Sequence, residues 1–161
     1  MLKSLIKWFQ VFLHPNKVIE MNYIPITPEN MNNLKEQIKP NYLDLLCTAI
    51  RDYEGKPGDR NYRNNNPGNC RYSSVGYLSI YGVVQRDPQN FAIFKDYTTG
   101  WLYLENLIKE KAKEHPNWNL ISLMQEYAPE KDGNNPYKYA TFLGKQMNVN
   151  PYTFLLLTLV T

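Results

Sequence analysis

The residues best suited to chemistry are Glu54 and the amide-rich block after it, Arg63-Asn64-Asn65-Asn66-Pro67-Gly68-Asn69, with Arg71 just beyond. A lone carboxyl at the end of an apolar helical run is disfavoured as an anion by burial and by the negative end of the helix dipole. Both raise its pKa, which a general acid working near neutrality needs. Asparagine amides donate to and accept from hydroxyl and acetamido groups and bring no charge to compete with that acid. Cleaving a glycosidic bond calls for such an acid together with stabilisation of a cation-like sugar ring. Plainer readings stand beside this one. Glu54 can be a surface glutamate without a role, and Asn64 to Asn66 can serve as turn residues, since asparagine tolerates left-handed backbone and Pro67-Gly68 is turn chemistry.

Several elements must position these groups. Pro40 or Asn41 opens a helix in which Tyr42, Leu45, Leu46, Ala49, Ile50 and Tyr53 recur at helical steps, and Gly55 supplies a left-handed stop. Lys56 to Asp59 reads as a turn. Tyr77 to Tyr81 and Phe91 to Phe94 are short, aromatic and β-branched, and predict a small antiparallel sheet. The helical period then returns. Thr98 caps a helix with Trp101, Leu104, Leu107 and Ile108 on one face, and His115-Pro116 ends it. Asn119 caps a second helix through Glu126. Asn135-Pro136 and Asn150-Pro151 repeat one start signal, the first for a helix to about Met147, the second for one to Val160. The fold class is therefore α+β, with a helix ending in Glu54, a small sheet and four further helices. Residues 1–39 read as an arm and 40–161 as the domain. Leu2, Leu5, Ile6, Phe9, Phe12 and Leu13 make residues 2–13 an amphipathic helix, suited to packing on its own domain or to docking on a membrane surface or another protein.

The 161 residues suit one domain with a short appendage, and the net charge of +3 is too small and dispersed for a nucleic-acid footprint. Cys47 and Cys70 form no disulfide framework or ligand spacing, and Cys47 reads as a buried thiol. His14 and His115 lie far from both cysteines, so neither a zinc site nor a Cys-His pair is expected, and no cofactor is called for. No apolar run is long enough to span a membrane. The basic, apolar opening is broken by lysine and glutamine and lacks a small-residue cleavage site, unlike a standard signal peptide.

Ala49-Ile50-Arg51-Asp52-Tyr53-Glu54-Gly55 followed by Arg63 to Asn69 resembles the lysozyme-like, lytic-transglycosylase-type domains of phage virion proteins. The order of Phe91 to Phe94 with Gly100, then Tyr127-Ala128-Pro129, Asn134-Asn135 and Tyr139, is similar as well. The likeness runs from about residue 42 to 150, and only the Arg-Asn-Asn-Asn-Pro-Gly-Asn string is specific. It implies a lysozyme-like fold, Glu54 as acid/base, and bacterial peptidoglycan as substrate, cut between N-acetylmuramic acid and N-acetylglucosamine. It implies substrate-binding roles for Arg63, Asn65, Asn66, Asn69, Tyr127 and Tyr139, and a place in the virion tail or among injected components acting on the host envelope. Asp59 or Asp96 as a second carboxylate would make the reaction hydrolytic. Without one, the resemblance favours a lytic transglycosylase. A virion or wall-binding protein that kept the fold and lost activity is a further reading.

Overall fold

The structure, a computed structural model, describes residues 40–72 and 82–161. The chain divides into two units, Met1–Lys39 and Pro40–Thr161, and everything described lies in the second. The amphipathic helix expected over 2–13 and the strand expected over 77–81 fall outside the described residues.

Helix α1 spans Tyr42–Glu54, opened by Asn41, whose side chain accepts from the Asp44 N–H at 3.2 Å. Its core face is Leu43, Leu46, Cys47, Ala49 and Ile50, whereas Leu45, expected inside, is exposed. A one-turn helix α2, Arg60–Arg63, follows. Strands β1 (Val83–Arg86) and β2 (Ala92–Phe94) pair antiparallel, with Val83 opposite Phe94, Arg86 opposite Ala92, and an irregularity between Val83 and Gln85. The Phe91–Phe94 expectation thus matches β2. The pairing strand Val83–Arg86 carried no sequence signal of comparable strength, because three of its four residues are exposed and its alternation is absent.

Helix α3 spans Tyr97–Glu114, α4 Leu120–Tyr127 and α5 Pro136–Met147. Short 3-10 turns cover Glu130–Asp132 and Leu156–Leu159. Asn119 and Asn135 cap α4 and α5 as expected. Two expectations are corrected. Asp96, not Thr98, caps α3: its Oδ1 accepts from the Thr99 N–H at 2.7 Å and the Thr99 hydroxyl at 2.6 Å. Asn150-Pro151 opens only a single turn. Leu155 then turns extended and bridges to Asn119, and the Leu156 and Leu157 N–H groups donate to the Trp118 and Pro116 carbonyls. Pairing with that loop satisfies the backbone groups a helix would have used. Three helices and two 3-10 turns therefore follow the sheet among the described residues.

The observed class is mixed, mostly helical with a two-stranded antiparallel sheet, compatible with α+β. Helix α1 packs between α3 and α5, α4 packs on α5, and the closing 3-10 turn rests on α3. Leu46, Ile50, Leu104, Ile108, Leu120, Met124, Leu143 and Leu156 are fully buried in one cluster. The asparagine block lies along β2, joining sheet to helices. The Phe94 N–H donates to the Asn64 carbonyl and the Ala92 N–H to the Cys70 carbonyl, both at 3.0 Å. Gly100 lets the first turn of α3 meet this block, since a Cβ there would collide with the Asn65 carbonyl.

Candidate functional site

Glu54 is the last residue of α1. Past it, the Gly55 N–H and the Asn61 side-chain amide both donate to the Arg51 carbonyl at 3.2 Å, so the helix end is satisfied from two directions. Gly55 is not the left-handed stop expected: at φ 158° and ψ −173° it swings the chain outward in an extended form. Glycine is needed there for room, because a Cβ would collide with Asn61 Oδ1 and the Asp59 side chain.

Each oxygen of the Glu54 carboxyl accepts one hydrogen bond. The Tyr139 hydroxyl donates to Oε1 at 2.7 Å, and Asn69 Nδ2 donates to Oε2 at 2.9 Å. Tyr139 is buried on α5 and stacks on Tyr53 of α1 with centroids 3.7 Å apart. Tyr127, at the end of α4, meets Tyr139 edge-on and donates to the Gly68 carbonyl at 2.6 Å. That bond fixes the backbone just before Asn69, which holds a left-handed φ of 45°. Three helices and the asparagine block thus converge on one carboxyl.

Burial pushes the Glu54 pKa up, while the bonds from Asn69 and Tyr139 and the positive field of Arg60 pull it back, and the net direction is upward. Burial also holds the Tyr139 and Tyr127 phenols well above their ordinary value, so both remain donors at neutrality. The Cys70 thiol, 3.8 Å from the Tyr127 hydroxyl, is pushed up to about 12 by burial, which makes it a poor nucleophile.

Glu54 and Asn69 line a cavity of about 410 Å³ whose other walls include Arg60, Arg71, Phe91, Glu126 and Asp132. Lys111 sits in the same wall and pairs with Glu126 at 2.6 Å. Tyr127 lines the cavity too, and Tyr139 reaches it through Glu54. The remaining expected site residues lie elsewhere. Arg63 is exposed and donates to the Gly58 carbonyl. The Asn65 amide donates to the Phe94 carbonyl at 3.1 Å. Asn66 is fully buried. Its amide donates to the Cys70 and Ala92 carbonyls and its oxygen accepts from the Cys70 N–H, all at 2.9 Å. Arg63, Asn65 and Asn66, expected to bind substrate, do not line this cavity, and their side-chain donors go to backbone carbonyls. No carboxyl of the other two candidates lines the cavity: Asp59 accepts from the Lys56 N–H at 2.9 Å, and Asp96 caps α3.

Comparison with family models, with curated proteins and with solved structures gives no match.

Arg60, Lys111, Glu126 and Asp132 line the cavity without having stood out as site residues in the sequence, and Phe91 stood out only as part of a strand and of the resemblance. For Arg60 the available signal was Asp59, which opens the turn that begins with it. The others come together only through tertiary packing. Among the described residues, no group of three or more His, Cys, Asp or Glu is arranged to hold a metal ion, and no helix is long and apolar enough to cross a membrane. What the arrangement offers is a single carboxyl with a raised pKa, held by two neutral donors at the wall of a cavity. Such a group can deliver a proton and take one back.

Proposed function

We propose that this protein is a peptidoglycan lytic transglycosylase of lysozyme-like fold, with Glu54 as its one acid/base. The observation that carries the reading is the Glu54 carboxyl itself: half-buried at a helix end, raised in pKa, and oriented by Tyr139 and Asn69 at the cavity wall. In the first half of the reaction Glu54 protonates the glycosidic oxygen, and the bond from the muramyl C1 to that oxygen breaks. In the second half the Glu54 carboxylate takes the proton of the muramyl 6-hydroxyl as that oxygen bonds to C1. The ring closes as a 1,6-anhydro product, no water is consumed, and Glu54 returns to its acid form. The Tyr139 and Asn69 donors stabilise the carboxylate between the two halves. The Arg63-to-Asn69 string, similar to that of muralytic domains in phage virions, supports peptidoglycan as the substrate and the virion as the setting.

The engagement of Asp59 and Asp96 with backbone N–H groups, away from the cavity, speaks against either as the second carboxylate of a hydrolase. Mass spectrometry of digested muropeptides tests the reading. The expected products are lighter by one water than hydrolytic ones and end in anhydromuramic acid, and E54Q slows their release by about 10³-fold. Reducing muramic ends alone would mean hydrolysis. Wild type and E54Q equally inert, while both bind sacculi, would mean a wall-binding protein.

A further inference from the structure

The cavity carries a second chemical feature that proton transfer at Glu54 does not use. Two guanidinium groups are carried by one aromatic ring of its wall: the Arg60 Cζ lies 3.7 Å from the Phe91 centroid, and the Arg71 Cζ lies 4.6 Å from it. A bridge between Arg71 and Phe91 ties the two segments together, and Arg71 Nη1 donates to the Gln89 carbonyl at 3.2 Å. Both arginines line the cavity together with Glu54. No carboxylate forms an ion pair with either among the described residues.

Two guanidinium groups held over one ring, with no carboxylate paired to either among the described residues, offer charge-assisted donors to an incoming carboxylate. Elsewhere in the lining, Glu126 is paired with Lys111 at 2.6 Å. The sugar rings of a glycan are themselves uncharged. The anions that travel with a peptidoglycan strand are carboxylates, borne by the stem peptide or, where the stem is missing, by the lactyl group of muramic acid.

We propose that Arg60 and Arg71, braced on Phe91, form a subsite for a substrate carboxylate beside the cleavage point. This rests on the peptidoglycan reading and adds to it a preference for strands that bear charge. The subsite selects the strand, and Glu54 acts on it.

Binding separates this subsite from the activity. Full-length E54Q is titrated calorimetrically with four soluble glycan strands: stems intact, stems removed by an amidase to free the lactyl carboxylate, and each of these with its carboxylates converted to methylamides. Tighter binding, by about tenfold or more, of a charged strand over its methylamide is the expected result. Which charged strand shows it identifies the source as peptide or lactyl. R71Q and R60Q should each narrow that ratio towards one, and R71K should restore it only in part, since lysine lacks the fork. Thermal melts check that the variants fold. Equal affinity for charged and blocked strands, or no binding of any strand, overturns the subsite. If wild-type protein cleaves all four strands at one rate, the subsite falls while the transglycosylase reading stands. If the charged strands bind preferentially but wild type cleaves none, the subsite stands and the enzymatic reading falls.

Discussion

Among the described residues, two hydrogen-bond donors meet the Glu54 carboxyl, and both favour its ionised form. Removing either should raise its pKa further. Because the first step needs the protonated acid, Y139F and N69A should each move the basic limb of the pH–kcat/KM profile to higher pH, measured on soluble muroglycan. A limb that stays in place would mean that the group titrating in the profile is not Glu54. The same carboxyl bears on stability. Its folded pKa lies above the ordinary 4.5, so the folded state binds this proton more tightly than the unfolded chain. The stabilisation is present below about pH 4.5 and is lost as pH rises through the folded value. E54Q, neutral at every pH, should therefore melt higher than wild type at pH 7, with the gap closing towards pH 4 in parallel thermal melts. Asn69 Oδ1, buried without a partner, gives the glutamine amide an acceptor once the Asn69 amide turns over. The position of Glu54 was legible because an apolar period and a glycine mark a helix end. Arg60 and Arg63 were not separable in the same way: both sit on one short turn, and only the packing of Phe91 distinguishes them.

Capping chemistry made α4 and α5 legible, since Asn119 and Asn135 each accept from the N–H three residues on. It misled at two places for a physical reason. At the start of α3 a better cap stood two residues before Thr98, and Asp96 satisfies both the backbone and the hydroxyl of Thr99. At Asn150 a correct local signal lost to long-range bonds with residues 116 and 118. The α3 cap can be tested simply. D96A should cost about 1 kcal/mol in urea denaturation, whereas T98A, exposed and outside the capping bonds, should change stability little. Strand β1 was hidden because its residues are mostly exposed, leaving pairing with β2 as its sole determinant.

At the scale of the molecule, the described part of the site lies in one unit. Every described residue that holds Glu54 or lines its cavity lies within Pro40–Thr161. A fragment of residues 40–161 should therefore fold and release anhydro-muropeptides at a rate within a few-fold of the full chain, compared on the same soluble strands. Failure of the fragment to fold, read by circular dichroism, would show that the first unit contributes to the core. The α+β class and the helix that ends at the acid could be anticipated from pattern alone. The convergence of α1, α4, α5 and the asparagine block could not, because Tyr139 reaches Glu54 from 85 positions away and no periodicity links them.

The stacking of Tyr139 on Tyr53 gives this acid an intrinsic optical signal. Two phenol rings 3.7 Å apart and nearly parallel couple their electronic transitions, and one of them is hydrogen-bonded to the carboxyl that does the chemistry. Loss or gain of the Glu54 proton changes the charge facing the Tyr139 hydroxyl, and so perturbs the near-ultraviolet band of the pair. The protein thus carries a chromophore for the ionisation of Glu54, readable in the absence of any substrate.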